Sequence, residues 1–464
     1  MFIKQLYTNC LSEAAYYIES EGESAIIDPI RDTQPYIDLA AERGTTIKYI
    51  FETHFHADFI SGHLELSKQT GAPIIYGPET ETNYPIEVAA DGQEYKIGKL
   101  TLRVLHTPGH TLESTCYLLL DEGGQPHCVF TGDTLFVGDV GRPDLSSGDL
   151  GSDELAALLF NSLQKKIKTL PDHVIVYPAH GPGSSCGKNI GPDTQTTIGK
   201  EKETNYALLA DKKEDFIKVV TDGLGAPPSY FSLNAKINKE GYTSLDHLLK
   251  KGLLPVDVNT LIQWKAEEKD MVILDTRRAE VFSDGFVPES IFIGLEGRYA
   301  EWAGMLLPYD KDILMVTEPG REEESLVRLT RVGFENIIGY LNGGYEAWKQ
   351  SGEEFDLLIN VEPDELIMDL PFDDHLVILD VRKPTEFEAG HLDDAENLPL
   401  EKLKDPGSMA LVEESDNIYV HCAGGYRSTI ASSLLKRQGI HNIRNVLGGY
   451  KAISELMAQE KNEQ

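Results

Sequence analysis

Cysteine is scarce in this sequence. The 464 residues carry five thiols, Cys10, Cys116, Cys128, Cys186 and Cys422, an odd number without paired spacing. That excludes a disulfide scaffold and makes a reducing cytoplasm the expected compartment. Positive charge is also short: 42 Lys and Arg stand against 76 Asp and Glu, a formal charge of −34. So acidic a chain repels nucleic-acid phosphates and anionic membranes alike, so neither is an expected partner. No stretch approaches the ~18 apolar residues of a membrane span, and the opening Met1-Phe2-Ile3-Lys4-Gln5 lacks the basic-then-apolar pattern of an export signal. What remains, 41% hydrophobic and 25% charged, is an ordinary globular composition. At ~100 to 200 residues per domain, the length predicts two to four folded units. An anionic substrate must then be drawn in locally, by a metal, an arginine or converging N–H groups.

Up to about residue 185, short apolar strands interleave with helices. Strands are expected at Ser24–Asp28, Ile47–Glu52, Pro73–Tyr76, Leu100–Leu105, Tyr117–Asp121, Cys128–Thr131 and Val174–Tyr177, with helices at Phe59–Thr70 and Asp153–Thr169. Eight of the thirteen histidines fall in this part. Lys200 to Lys269 reads as a charged, mostly helical connector broken at Gly225-Ala226-Pro227-Pro228. Beyond it lies an internal repeat. Val272-Ile273-Leu274-Asp275-Thr276-Arg277 matches Val377-Ile378-Leu379-Asp380-Val381-Arg382, and Gly343-Gly344-Tyr345 matches Gly448-Gly449-Tyr450, both offset by 105 residues (275 to 380, 343 to 448). Two α/β modules of one design are expected, each opening on a buried strand that ends in Asp-x-Arg.

Two groups of residues carry chemistry. The first is spread over four strand ends: His54-Phe55-His56-Ala57-Asp58, Pro108-Gly109-His110, Gly132-Asp133 and Ala179-His180-Gly181. A single His or Asp at a strand end is ordinarily a satisfied polar group, but four strand ends delivering such residues together predict a metal site. The second is Cys422 in His421-Cys422-Ala423-Gly424-Gly425-Tyr426-Arg427-Ser428, between an apolar strand and a helical stretch. There, loop N–H groups and the positive helix terminus favour a thiolate, so Cys422 is expected to be a nucleophile.

The first set resembles the metallo-β-lactamase superfamily, which implies an αββα sandwich over residues 1–250 including the connector. Binuclear hydrolases of that superfamily carry His-x-His-x-Asp-His, whereas Phe59 stands here at the last position. A mononuclear centre is therefore expected. Similarity to the persulfide dioxygenase branch implies His54, His110 and Asp133 as metal ligands, with His56, Asp58 and His180 facing the substrate or supporting the ligands. Two His and one carboxylate suit non-haem Fe(II), so one Fe(II) per chain is expected, with zinc the metal a purified sample could carry instead. The same branch implies that Arg142 holds the thiol part of the substrate. Cys186, in the Gly-rich loop after His180, is a candidate persulfide acceptor. Glutathione-using relatives have a Tyr soon after the last motif His; Gly181-Pro182-Gly183-Ser184-Ser185-Cys186-Gly187 has none.

Cys422-x-x-Gly425-x-Arg427, with Glu386-Phe387-Glu388-Ala389-Gly390-His391 upstream, resembles the rhodanese loop. The resemblance implies parallel-sheet α/β domains over 251–357 and 358–464, with Cys422 and Arg427 catalytic and Gly424, Gly425 and Tyr426 around the substrate. The repeat offset lands Cys422 on Thr317, and the first module has no cysteine, so it is expected to be inactive. Together the resemblances imply persulfide oxidation to sulfite by O₂ coupled to sulfur transfer, giving or consuming thiosulfate in sulfide detoxification. The implied partners are small-molecule or protein persulfides, O₂, sulfite and thiosulfate, and a homo-oligomer is expected. The alternatives are a glyoxalase II-like thioester hydrolase fused to sulfurtransferase modules, or a persulfide sensor or carrier with a scaffold metal domain.

Overall fold

The computed structural model describes residues 1–145, 150–405, 407 and 416–463. The chain divides into two compact units, Met1–Leu245 with Thr330–Gly333, and Asp246–Leu329 with Phe334–Gln464.

The first unit stacks two six-stranded sheets. One runs β1 (Phe2–Thr8), β2 (Glu13–Ser20), β3 (Glu23–Ile27), β4 (Thr46–Phe51), β5 (Ile74–Tyr76), β6 (Glu87–Val88), antiparallel as far as β3 and parallel beyond it. The other comprises β7 (Glu94–Ile97), β8 (Leu100–His106), β9 (Thr115–Leu120), β10 (Pro126–Gly132), β11 (Ile175–Pro178) and β12 (Thr196–Thr197), in that spatial order. In β9 the two-residue period separates two cores. Tyr117 and Leu119 face Phe51 and Phe130 between the sheets, while Cys116, Leu118 and Leu120 face the outer layer. That layer is the helix Ser152–Ser162, continued by a wider turn over Leu163–Ile167, together with the helix Lys213–Thr221.

The helix expected from Phe59 starts only at His63. The buried Asn238 side chain donates to the carbonyls of His56 and Phe59, both at 2.8 Å, and accepts from Ser61 N–H at 2.9 Å. Backbone groups that a helical turn needs are thus held by a side chain in a loop conformation.

The second unit contains two five-stranded, all-parallel sheets with the same spatial order. The first is β13 (Pro255–Val256), β14 (Met271–Asp275), β15 (Ile291–Phe292), β16 (Asp312–Val316) and β17 (Ile337–Leu341), arranged β13-β17-β16-β14-β15. The second is β18 (Ile359–Val361), β19 (Leu376–Asp380), β20 (Ala395–Asn397), β21 (Asn417–His421) and β22 (Ile443–Val446), arranged β18-β22-β21-β19-β20. The repeat seen in the sequence is therefore a repeat of whole sheets.

Candidate functional site

Asp28 follows β3 with a left-handed φ of 51°, which aims its carboxylate at the end of β4. Thr53 donates its N–H to Asp28 Oδ1 at 2.7 Å and its hydroxyl to Oδ2 at 2.9 Å. The hydroxyl proton is thereby committed, so Thr53 Oγ1, 2.9 Å from His54 Nδ1, accepts from that ring. His110 Nδ1 lies 2.9 Å from the Arg142 carbonyl, and His180 Nδ1 3.2 Å from the Ser12 carbonyl. A carbonyl only accepts, so in each ring Nδ1 carries the proton and Nε2 a lone pair.

All three Nε2 atoms face Asp133, at 3.7 Å from His54, 3.4 Å from His110 and 3.5 Å from His180. Asp133 leaves β10 just after Gly132, whose φ is 51° and whose added Cβ would come within 2.6 Å of Thr53; only glycine lets the strands close this tightly. Among the described residues neither oxygen of Asp133 has a hydrogen-bond partner. Lone pairs converging on a buried carboxylate, with no proton between them, call for a cation. The donor set fits a metal ion. His54, His110 and Asp133 form one buried group with ligand atoms within 4.8 Å of one another; His56, Asp58 and His180 form another.

The two motif histidines differ in charge. Burial, then the charges of His56, His110 and His180, pushes His54 well below its ordinary value. Burial also works against charge on His56. There it is outweighed by Asp28, whose Oδ1 is 3.1 Å from Nε2, and by Glu52 and Asp58, which together raise it to about 10. Phe59, fully buried, lays its ring 4.3 Å from that of His56.

In the second unit, Cys422 leaves β21 onto a loop that ends in the helix Tyr426–Arg437. The Gly425 N–H donates to Cys422 Sγ at 3.1 Å, and Ser428 Oγ lies 3.7 Å from the sulfur. Arg427 forms a two-pronged pair with Glu386 at 2.6 and 2.7 Å. Gly424 is exposed. The equivalent loop of the first module has Thr317 at the cysteine position, with Arg321 bound by Glu324 and Arg278 by Glu318.

Residues 8–180 match the metallo-beta-lactamase superfamily, and 257–351 and 362–456 each match the rhodanese-like domain. Over 216 residues the chain is 33% identical to a hydroxyacylglutathione hydrolase of Rhizobium etli, covering 41% of this chain and 78% of that one. Over 200 residues it is 30% identical to the mitochondrial persulfide dioxygenase ETHE1 of Homo sapiens, covering 43% and 71%. The chain belongs to the metallo-beta-lactamase superfamily. A solved metallo-beta-lactamase from Staphylococcus aureus, 34% identical with a TM-score of 0.65, covers 74% of this chain and 99% of its own. The chain thus has persulfide dioxygenase relatives and carries two rhodanese-like domains C-terminal to its metallo-beta-lactamase superfamily domain.

The structure brings His54, His56, Asp58, His110, Asp133, His180 and Cys186 into one buried neighbourhood, Cys186 grouping with Asp133 and His180. Burial, then the charges of Asp58 and Asp133, pushes the Cys186 thiol well up. Two arginines differ from expectation. Arg142 sends its guanidinium to Asp144, at 3.0 and 2.8 Å, and to the Gly225 carbonyl at 2.5 Å; what it gives the metallo-beta-lactamase site is its own carbonyl, the acceptor for His110. Arg427 braces its loop through Glu386, so its charge is already matched. Sequence reasoning missed Asp28, Thr53, Glu52 and Asn238. Asp28 and Glu52 end expected strands, a position that could have flagged them. Asn238, 180 residues downstream of Asp58, gives no local signal.

Proposed function

We propose that this protein is a persulfide dioxygenase with a thiosulfate-linked sulfurtransferase domain. The observation that carries the reading is the trio His54, His110 and Asp133: two imidazole lone pairs and a carboxylate that, among the described residues, has no hydrogen-bond partner, beside a phenyl ring where a further ligand could stand. These three would hold a single Fe(II). When bound, that ion would bring a persulfide sulfur and O₂ together and carry the electron transfer between them.

The chain's own residues then orient and restrain. Thr53 and the Arg142 carbonyl fix the tautomers of His54 and His110, and Asp28 holds both Thr53 and His56. His180 and Asp58, 3.5 Å apart, offer polar atoms on the Asp133 side. The overall balance is RSSH + O₂ + H₂O giving RSH, sulfite and two protons. In the second unit the Cys422 thiolate attacks the sulfane sulfur of a persulfide, releasing the thiol and forming Cys422–S–S⁻. Sulfite then attacks the outer sulfur, the S–S bond breaks, and thiosulfate leaves with the Cys422 thiolate restored. Gly425 N–H is placed to stabilise negative charge on that sulfur. Sulfide detoxification in the cytoplasm is the role this chemistry fits.

The test combines metal analysis with product analysis of the whole chain. Incubation with several low-molecular-weight persulfides, with and without air, should give about one iron per chain and O₂-dependent sulfite. Two zinc ions per chain with O₂-independent thioester hydrolysis would establish the hydrolase alternative, to which the Rhizobium relative is similar.

A further inference from the structure

The first rhodanese-like module has no cysteine, yet it touches the loop of the second that does. Tyr426, the fifth residue of Cys422–Arg427, leaves its own module. Its hydroxyl donates to the Gly294 carbonyl at 2.7 Å, and its ring meets Phe292 edge-on at 6.1 Å. A Cβ added at Gly297 would lie 2.4 Å from Tyr426 Cζ, so that position must be glycine for the ring to seat. Two helical turns later the contact is reinforced from the other direction: the Phe292 N–H donates to Ser433 Oγ at 3.0 Å. The next residue along the loop, Arg427, is anchored within its own module by Glu386, and Tyr450 N–H donates to the Cys422 carbonyl at 2.6 Å. The loop therefore has three anchors, of which the inactive copy supplies one.

We infer that the Gly294–Gly297 turn of the cysteine-free module is a clasp for Tyr426, making Tyr426 a positioning residue for Cys422 and giving the inactive module its function. This rests on the reading that Cys422 transfers sulfur. The Gly425 N–H that points at Cys422 Sγ is one residue from Tyr426, so tilting the ring turns that donor away from the sulfur. Gating of the transfer step by displacement of a supporting group is the expected consequence.

The test uses full-length protein and thiosulfate-to-cyanide sulfur transfer. Tyr426→Phe, which keeps the ring and loses one hydrogen bond, should lower kcat about fivefold with KM for thiosulfate unchanged. Gly297→Ala should lower kcat more, by about 30-fold, again at constant KM, while metal content and O₂-dependent sulfite formation stay at the wild-type level. In a Tyr426→Ala background the Gly297→Ala substitution should have no further effect, because the ring it displaces is gone. Additive losses in that double mutant, or Gly297→Ala with wild-type kcat, would overturn the clasp. Alkylation of Cys422 by iodoacetamide, followed in the same variants, should slow in parallel with kcat; an unchanged rate in Gly297→Ala also overturns it. Failure of the functional reading looks different: wild-type protein would then transfer no sulfur at all, while the alkylation series would still report on the clasp.

Discussion

The two rhodanese-like modules share a frame and differ in one loop. In both, the strand-end aspartate takes a two-pronged pair from the arginine two residues on, Asp275–Arg277 and Asp380–Arg382, with closest contacts of 2.7 and 2.6 Å. In both, that arginine also donates to a glycine carbonyl at 2.8 Å, Gly285 in one and Gly390 in the other. It stacks over a tyrosine, Tyr345 at 4.5 Å or Tyr450 at 4.0 Å. Each of these positions obeys the 105-residue offset. The loops after β16 and β21 diverge: the first leads into a helix whose first turn is Glu322, Glu323, Glu324, the second into Tyr426, Arg427, Ser428. Carboxylates fill the first turn of one helix, whereas at the start of the other the Gly425 N–H donates to Cys422 Sγ. The buried clamp is common to both modules, and the loop that follows is where they part.

The strongest way to break that contrast is to exchange the deciding residue. Cys422→Ser should abolish sulfur transfer, measured as thiosulfate formed from sulfite and a persulfide. Adding Thr317→Cys to that variant should restore none of it, because the N–H of Gly320, the counterpart of Gly425, already donates to Glu322 Oε1 at 3.2 Å, and three glutamates open the helix that follows. Recovery of even a small fraction of wild-type turnover would mean the first module kept a working cradle.

The shared clamp offers the next largest effect. Removing one partner of a buried ion pair costs about 3 to 5 kcal/mol, so Arg277→Ala and Arg382→Ala should each destabilise by that amount in denaturant unfolding of the second unit's signal. A loss below about 1 kcal/mol in either module would show that the two frames are not held alike.

How much of this was legible in the sequence follows from the range over which each feature acts. The repeat, the strand ends carrying His54, His110, Asp133 and His180, and the Cys422 loop are local patterns, and each lies where its pattern implied. The late start of the helix at His63 was hidden, because Asn238 decides it from 179 residues away along the chain. The engagement of Arg142 and Arg427 was hidden for the same reason in milder form. A sequence shows that an arginine stands near a site but not that Asp144 or Glu386 has already taken its charge. Tyr426 looked like part of a substrate loop; its partner, Gly294, lies 132 residues upstream in the other module.

A smaller effect sharpens the comparison through pH. Glu386 is held below its ordinary value of 4.5 by the hydrogen bonds from Arg427, with burial opposing. A carboxylate with a depressed folded-state value stabilises the loop above its unfolded value, and that contribution disappears as pH falls through the folded one. Sulfur transfer should therefore decline on acidification below about pH 4.5, and Glu386→Gln should show the weakened activity at neutral pH and flatten that acid limb. At the offset positions the first module has Val281 and Glu322 in place of Glu386 and Arg427, so this acid limb belongs to the second module alone.

The smallest effect belongs to the ion network of the silent loop. Glu324 is held below its ordinary value by hydrogen bonds from Arg321, with burial opposing, and it also reaches Arg328 at 3.1 Å. Its side chain is 42% exposed, so water and salt screen both pairs, and such surface networks contribute at most about 0.5 kcal/mol. Glu324→Gln should consequently leave unfolding within about 0.5 kcal/mol of wild type and leave sulfur transfer at Cys422 untouched. The same neutralisation at Glu386 removes an anchor of the Cys422 loop. If Glu324→Gln slowed transfer as much as Glu386→Gln does, the silent loop would be coupled to Cys422 through something other than the Tyr426 contact, and the division between frame and chemistry would have to be redrawn.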